Sequence, residues 1–120
     1  RNLAKAGVLD YVELKHADLS RGIDEVGVDA VVLDLASPWE VIPHAYKALK
    51  GSGGFASFSP TINQVERTVA ALRKHGFVDI EAVECLLRGF KVEEGATRPY
   101  SFMVTHTGYL VFARKALKEG

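Results

Sequence analysis

The polar side chains that could do chemistry in this sequence follow predicted strands. Asp34 comes directly after the apolar run at residues 30–33, Asp18 follows an earlier alternating segment, and Ser59 and Gln64 follow a third segment. In an open α/β sheet, ligands bind in the crevice outside the carboxyl ends of the parallel strands. A carboxylate at that edge can accept hydrogen bonds or stabilise positive charge, so these residues are candidates for one binding or catalytic site.

Each candidate also has an explanation that involves no ligand. Asp34, which we expect to be desolvated by its surroundings yet reachable from the crevice, could bond only to amides of its own loop. Asp18 could cap the short helical segment after it, and Gln64 stands three residues after Thr61, the spacing of a capping box. The residues alone leave these alternatives open.

The segment around Asp34 determines where its neighbours must lie. Residues 30–33 are four apolar residues in a row. They predict a strand over about 29–35 that is buried on both faces, as in a parallel sheet. Asp34 would therefore lie where a buried strand ends and the next helix is about to begin.

The helix after Asp34 has a clear start in the sequence. Ser37 begins it, with Pro38 at the first position and Glu40 completing a capping box. Pro43 should bend or restart the first turn, and residues 50–51 should end the helix. The spacing predicts that its inner face is formed by Val41, Ile42, Ala45, Ala48 and Leu49.

The remaining segments alternate between helices and strands. Before the segment around Asp34 they are a helix ending at Gly7, a strand at 11–16 and a short helical piece to Val26. After it they are a strand at 53–60, a helix from Thr61 to about His75, and strands at about 80–90 and 107–115 around a polar loop at 91–99. The inner face of the helix from Thr61 should consist of Val65, Val69 and Leu72. The alternation predicts a single α/β domain with a parallel sheet and right-handed crossovers. The last two strands have no helix between them, so they should form an antiparallel pair at one edge.

Composition argues against several classes of protein. The net charge is zero over 120 residues, which disfavours nucleic-acid binding through overall charge. The single cysteine, Cys85, rules out an internal disulfide and fits a cytoplasmic protein. The glycines at 51–54 precede a strand, so they are not a phosphate-binding loop. The histidines, of which His44 and His75 should face solvent, assemble no metal site, and no apolar run is long enough to cross a membrane.

Five motifs then occur in order along the chain. They are Asp-Leu-Ala-Ser-Pro-Trp at 34–39, Phe-Ser-Pro at 58–60, Asn-Gln-Val at 63–65, Arg-Pro at 98–99 and His-Thr-Gly-Tyr-Leu at 106–110, preceded by matching runs at 2–7, 12–14 and 17–18. Together they resemble the tRNA adenine-N1 methyltransferases, which modify the T-loop adenine at position 58 with S-adenosylmethionine. One departure is Ala36, where that family more often has proline after Asp-Leu.

The resemblance implies a Rossmann-like α/β methyltransferase sheet, mostly parallel with an antiparallel last strand, of which residues 1–120 form the C-terminal part. The family's N-terminal strands and glycine-rich cofactor loop would precede Arg1, and the strand at 11–16 would pair with one of those strands. The resemblance also implies S-adenosylmethionine as cofactor, tRNA as partner, a cytoplasmic location and a tetramer in the complete protein, with no membrane and no metal.

The resemblance further assigns roles to individual residues. Asp34 would be the catalytic carboxylate, and chemistry supports this independently. When adenine N1 attacks a methyl group the purine becomes cationic, and a carboxylate that accepts a hydrogen bond from the exocyclic amine stabilises that charge. The implied cofactor contacts are Asp18, to the adenine, with Leu19, Asp34 and Leu35. The implied tRNA contacts are Gln64, Arg98 and His106.

Two other functions stay open. A non-catalytic subunit would hold RNA or a partner protein without binding a cofactor, and another class I methyltransferase would use the same sheet for a different acceptor. We also expect the isolated chain to pair with another copy or to leave residues 1–27 poorly anchored. It should bind S-adenosylmethionine weakly or not at all.

Overall fold

The computed structural model describes residues 2–87, 89–99 and 104–117, and at residues 2, 3, 87, 99 and 104–107 it describes only the backbone. The helices of this part of the chain are α1 (Asn2–Ala6), α2 (Pro38–Ala48) and α3 (Ile62–Lys74), with 3₁₀ turns at Leu9–Tyr11 and Leu19–Arg21. The strands are β1 (Val28–Leu33), β2 (Leu49–Ser59), β3 (Phe77–Leu87), β4 (Phe90–Lys91), β5 (Arg98–Pro99) and β6 (Val104–Lys115).

Four strands form one sheet in the order β1, β2, β6, β3. β2 lies parallel to β1 and antiparallel to β6, and β6 is also antiparallel to β3. Of these four strands, β1, β2 and β3 therefore run in one direction and β6 runs against them. This confirms the mostly parallel sheet with an antiparallel last strand, and β3 with β6 is the predicted antiparallel pair at the edge.

The register brings the ends of several strands to one edge of the sheet. Leu33, the last residue of β1, lies opposite Ser57, and Ser59, the last residue of β2, lies opposite Tyr109 of β6. The loop that begins at Asp34 and the start of α3 therefore both lie at this carboxyl edge.

The core lies between the sheet and the helices α2 and α3. All five residues predicted for the inner face of α2 are buried, although Leu49 is the first residue of β2 and not part of the helix. Val65 and Leu72 of α3 are also buried, and Val69 packs at the margin of the core. From the sheet, Leu33, Phe55 and Val111 complete this cluster. Ile42 and Leu72 have no exposed surface, so truncating either to alanine should cost about 2–5 kcal/mol.

The opposite face of the sheet is open in the described part of the chain. Val32 and Phe112 both lie opposite Ala56, so they share that face, and they are 76% and 40% exposed. The prediction that residues 30–33 are buried on both faces is therefore wrong. The apolar run identified the strand correctly, but no described helix packs over its second face.

The predicted strand at 11–16 is also wrong. Leu9–Tyr11 is a 3₁₀ turn, residues 12–18 adopt no regular structure, and Tyr11 is 88% exposed. A strand needs a neighbour to satisfy its backbone groups, and none of the described residues pairs with this segment. Alternation of apolar and polar residues was not sufficient to form a strand here.

Helix boundaries agree with the sequence at some ends and differ at others. The hydroxyl of Ser37 makes no capping hydrogen bond, so the predicted capping box with Glu40 is wrong, although Pro38 does begin α2. The helix continues through Pro43 and ends at Ala48 instead of residues 50–51. α3 ends as predicted, because Gly76 adopts a positive φ of 88° that favours glycine.

The strands that follow α3 differ in extent from those predicted. β3 (Phe77–Leu87) has about the predicted length but lies about three residues earlier than the predicted strand at 80–90, whereas β6 begins at Val104 and is longer than predicted. The predicted polar loop at 91–99 contains part of a small hairpin, in which Phe90 lies opposite Pro99 and Lys91 opposite Arg98. This hairpin forms a separate two-stranded sheet.

Candidate functional site

Asp34 is the first residue after β1, at the carboxyl edge of the sheet. Its side chain is exposed, so the expectation that its surroundings desolvate it is wrong. Within the described part of the chain the carboxylate makes no hydrogen bond and no ion pair, so it does not serve merely to bond the amides of its loop. Both carboxylate oxygens remain available to a ligand.

Asp18 differs from Asp34 because its carboxylate accepts hydrogen bonds within the protein. Its Oδ1 accepts hydrogen bonds from the backbone nitrogen and the hydroxyl of Ser20, at 3.0 and 2.7 Å. These bonds cap the 3₁₀ turn Leu19–Arg21, so the capping interpretation is correct. Both bonds lower the pKa of Asp18, and the bond from the Ser20 hydroxyl contributes more than the bond from the Ser20 amide. Oδ2 lies 3.9 Å from Nε of Arg21 and keeps room for another donor.

A cavity of about 470 Å³ lies between this turn and the start of α2. It contains three of the four residues assigned to the cofactor, which are Asp18, Leu19 and Leu35; Asp34 is not part of its lining. The other lining residues are Ala17, Ser20, Ser37, Glu40 and Val41. Apolar leucine side chains beside a carboxylate suit a flat heterocycle that carries an amine, because the carboxylate can accept its hydrogen.

His44 fixes the turn that forms one wall of this cavity. Its Nε2 lies 3.0 Å from the backbone oxygen of Ser20, and because a carbonyl oxygen can only accept, Nε2 carries a hydrogen in this contact. The side chain is half-buried, so the prediction that His44 faces solvent is wrong. The spacing of Ser37, Glu40, Val41 and His44 along one helical stripe is the signal that could have revealed this position.

Gln64 connects α3 to the loop that carries Asp34. Its backbone nitrogen donates to the hydroxyl of Thr61 at 3.3 Å, which confirms the helix cap. Its side chain does not return to the Thr61 backbone as in a capping box. Instead, Oε1 accepts from the Thr61 hydroxyl at 2.9 Å, and Nε2 donates to the backbone oxygen of Ala36 at 3.1 Å.

Trp39 in the first turn of α2 and Arg67 in the second turn of α3 connect the two long helices. The guanidinium carbon of Arg67 lies 4.3 Å from the centroid of the Trp39 ring, a cation–π contact. Arg67 is otherwise exposed, so its N–H groups remain accessible beside the carboxyl edge. Local sequence patterns do not indicate this pair, because the two residues are far apart in the chain.

The other two residues assigned to tRNA lie elsewhere in the chain. Arg98 is exposed on β5, and because its hairpin is separate from the main sheet, the strand order does not place it relative to Asp34. The backbone of His106 lies in β6, three residues before Tyr109, and therefore past the end of β2 at the carboxyl edge. The side chain of His106 is outside the described residues.

Tyr109 is a further polar residue at this edge. Burial raises the pKa of its hydroxyl, and a hydrogen bond with the carboxylate of Glu84 raises it further, so the hydroxyl stays protonated at neutral pH. In the part of the chain that the structure describes, no three potential ligands come together to bind a metal ion. Nor is any helix of that part both long and apolar enough to cross a membrane.

The chain is similar to a known family and to solved structures. Residues 1–97 match the family described as tRNA methyltransferase complex GCD14 subunit. The tRNA (adenine(57)-N(1)/adenine(58)-N(1))-methyltransferase TrmI of Methanocaldococcus jannaschii is 43% identical over 109 residues, which cover 90% of this chain and 38% of that protein.

Two solved structures share most of the fold. A SAM-dependent O-methyltransferase from Thermotoga maritima has a TM-score of 0.88 and 42% identity, over 99% of this chain and 45% of that one. The tRNA methyltransferase TrmI from Aquifex aeolicus has a TM-score of 0.83 and 32% identity, over 98% of this chain and 47% of that one. The chain thus spans less than half the length of these relatives.

Proposed function

Because the chain belongs to the family of tRNA methyltransferase complex GCD14 subunits, we propose that it forms part of an S-adenosylmethionine-dependent tRNA adenine-N1 methyltransferase. The observation that carries the proposal is the exposed and unbonded carboxylate of Asp34, which begins the same loop that lines the cavity through Leu35 and Ser37. A free acceptor beside a cavity for a heterocycle is the arrangement that such a transfer needs.

The residues of the cavity fit the adenosine part of S-adenosylmethionine. Leu19 and Leu35 supply apolar surface for the adenine ring, and Oδ2 of Asp18 can accept a hydrogen bond from its amine. The lowered pKa of Asp18 keeps this carboxylate ionised at neutral pH. When bound, the cofactor supplies an electrophilic methyl group on its sulfonium sulfur.

Asp34 acts on the methyl acceptor. Its carboxylate accepts a hydrogen bond from the exocyclic amine of the substrate adenine, which fixes the ring edge and orients N1. As N1 forms its new bond the ring gains positive charge, and the nearby carboxylate stabilises that charge. An aspartate already bonded by its own loop could not do this, which is why the unbonded state of Asp34 matters.

The proposed partner is tRNA, contacted by Arg98 and His106, whereas the side chain of Gln64, which the resemblance also assigned to tRNA, is bonded to Thr61 and Ala36. Replacing Arg98 with alanine should weaken tRNA binding and reduce the slope of log affinity against log salt by about one, because one phosphate contact is lost. Lys91→Ala is a matched control, because Lys91 lies opposite Arg98 but is paired with Glu93 at 3.5 Å. Equal salt slopes for wild type and Arg98→Ala would contradict the contact.

The identity of the methylated atom tests the proposed function directly. The complete protein, as its gene encodes it, is incubated with labelled S-adenosylmethionine and a tRNA transcript, and the modified nucleosides are identified by mass. We expect 1-methyladenosine, and no incorporation when the adenine at position 58 is replaced by uridine.

An oxygen-methylated product would instead favour the activity for which the Thermotoga maritima protein is named. A protein that binds tRNA but neither binds S-adenosylmethionine nor transfers methyl groups would be a non-catalytic subunit. Either result would overturn the proposed reaction.

We also propose that the complete protein assembles into an oligomer, as a tetramer, and acts in the cytoplasm. The description of the matching family as a complex subunit and the exposed apolar residues Val32 and Phe112 support an assembly. The free thiol of Cys85 is consistent with a reducing compartment. Light scattering after size-exclusion chromatography measures the mass, and a monomer would contradict the assembly.

A further inference from the structure

We propose that Gln64 is a positioning residue that holds the loop carrying Asp34 in place for the reaction. The amide nitrogen of Gln64 donates to the backbone oxygen of Ala36, two residues after Asp34, at 3.1 Å. This inference rests on the proposed function, because it assigns Gln64 an effect that is exerted through the proposed catalytic carboxylate.

The two ends of the Gln64 amide have separate tasks. Oε1 accepts from the hydroxyl of Thr61, which itself accepts from the backbone nitrogen of Gln64, so this end belongs to the helix cap. Nε2 is not needed for the cap and reaches across to the loop. A residue that served only as a cap would require no donor directed at Ala36.

The loop at 34–37 has few other restraints. Asp34 and Ala36 are exposed, and among the described residues Gln64 supplies the one side-chain hydrogen bond that reaches this loop from another element. The loop begins at the end of β1 and finishes at Pro38, so its two ends are fixed. Between these ends, Leu35 packs against the core and Gln64 holds the backbone at Ala36, so both contacts help to set the direction of the Asp34 carboxylate.

Gln64 is itself anchored in the core. Its backbone oxygen accepts a hydrogen bond of 2.7 Å from the hydroxyl of Thr68, which is fully buried. Val65, the next residue, is also buried, and its neighbours in α3 pack against the sheet. The loop is therefore attached to a rigid helix. This attachment matters for the reaction because a displacement of about 1 Å at a reacting group can reduce a rate by a factor of about 100.

Gln64→Met and Thr61→Ala separate the two tasks. Methionine keeps the length of the side chain, adds no charge and leaves the backbone bond to Thr61, but it cannot donate to Ala36. We expect its kcat at saturating tRNA and cofactor to fall roughly ten- to a hundredfold, with KM for tRNA within about twofold of wild type. Thr61→Ala removes the cap and keeps Nε2, so it should lower thermal stability and retain kcat.

Gln64→Glu provides a second variant that folds without the donor. A glutamate keeps the acceptor for the Thr61 hydroxyl and is favourable in the first turn of a helix, so its melting temperature should equal or exceed that of wild type. It presents an oxygen to the Ala36 oxygen, so kcat should fall as in Gln64→Met. Normal kcat in both Gln64 variants would overturn the proposal.

Hydrogen exchange of the peptide containing residues 34–37 gives a measurement that needs no catalysis. In the complete protein we expect exchange in this loop to become several-fold faster in Gln64→Met and to stay unchanged in Thr61→Ala. If the wild type transferred no methyl group, the proposed function would fail, while faster loop exchange would still support the attachment by Gln64.

The remaining outcomes count against the proposal. Unchanged loop exchange in Gln64→Met would overturn it, and so would faster exchange with a normal kcat. A raised KM for tRNA with a normal kcat would show instead that Gln64 acts as a direct tRNA contact.

Discussion

Asp18 and Asp34 are two aspartates that the sequence places in similar settings, each at or near the end of a predicted strand, but their carboxylates have different surroundings in the structure. Asp18 is held by two hydrogen bonds from Ser20 and lines a cavity. Asp34 is exposed and has no bonding partner among the residues that the structure describes. The held carboxylate is suited to recognise a ligand with fixed geometry, whereas the unbonded one can respond to charge that develops on a substrate.

The largest effect that this difference predicts is on turnover at Asp34. If the complete protein has the proposed activity, Asp34→Ala should leave its affinity for S-adenosylmethionine nearly unchanged and reduce kcat by a factor on the order of 100 or more, because charge on the purine loses its stabilisation. Single-turnover rates at saturating tRNA and cofactor measure this. Asp10→Ala is the control, since Asp10 is also exposed and has no partner in the described residues. Unchanged turnover in Asp34→Ala would remove Asp34 from the mechanism.

A smaller and different effect is expected at Asp18. In Asp18→Asn, Oδ1 can still accept from Ser20, so the turn keeps its cap, but an amide NH₂ replaces Oδ2 and cannot accept from an adenine amine. The loss of a hydrogen bond to a charged group should raise the dissociation constant for S-adenosylmethionine by about tenfold. Calorimetric titration measures the constant, and kcat at saturating cofactor should not change.

The two aspartates would no longer be distinct in function if Asp18→Asn lowered kcat and left cofactor affinity intact. That result would move the cofactor away from the cavity of about 470 Å³. It would also require a new explanation for why Leu19 of the Asp18 turn and Leu35 of the Asp34 loop line the same cavity.

Sequence patterns predicted most of the fold because burial follows a simple spacing. The inner face of α2, the stop of α3 at Gly76 and the position of Asp34 at the end of a strand are all consequences of local periodicity and turn chemistry. The strand predicted at 11–16 failed because its formation depends on a neighbour, which a local pattern does not contain. The prediction that residues 30–33 are buried on both faces failed at Val32 for the same reason, because a covering element is not part of a local pattern.

The contacts of the site were harder to predict than the positions of its residues. Gln64 and Ala36 are 28 residues apart, and His44 and Ser20 are 24 apart, so each hydrogen bond exists only because the fold brings a helix against a distant loop or turn. The capping spacing at Thr61 was correct, but it gave no sign that the far end of the Gln64 side chain bonds to another loop. The grouping of Asp18, Leu19 and Leu35 was implied by family resemblance, not by spacing.

The smallest predicted effect concerns the charge of Asp18. In Ser20→Ala the hydroxyl donor is lost and the backbone donor stays, so the pKa of Asp18 should rise toward the ordinary aspartate value of about 3.9 without reaching it. Carbon-13 detection of the Asp18 carboxyl during a pH titration measures the shift. Ser37→Ala is the control, because Ser37 lines the same cavity but makes no capping bond, and it should leave the Asp18 titration unchanged.

The same bonds predict how stability depends on pH. The pKa of Asp18 is lower in the folded than in the unfolded protein, so its contribution to stability is complete above the unfolded value and is lost as pH falls through the folded value. Ser20→Ala should therefore be less stable than wild type at neutral pH, and the two proteins should converge in acid. Denaturant unfolding at neutral pH and at a pH below the Asp18 titration tests this. A difference in stability between the two proteins that persists at the acid pH would show that Ser20 acts through packing and not through the charge of Asp18.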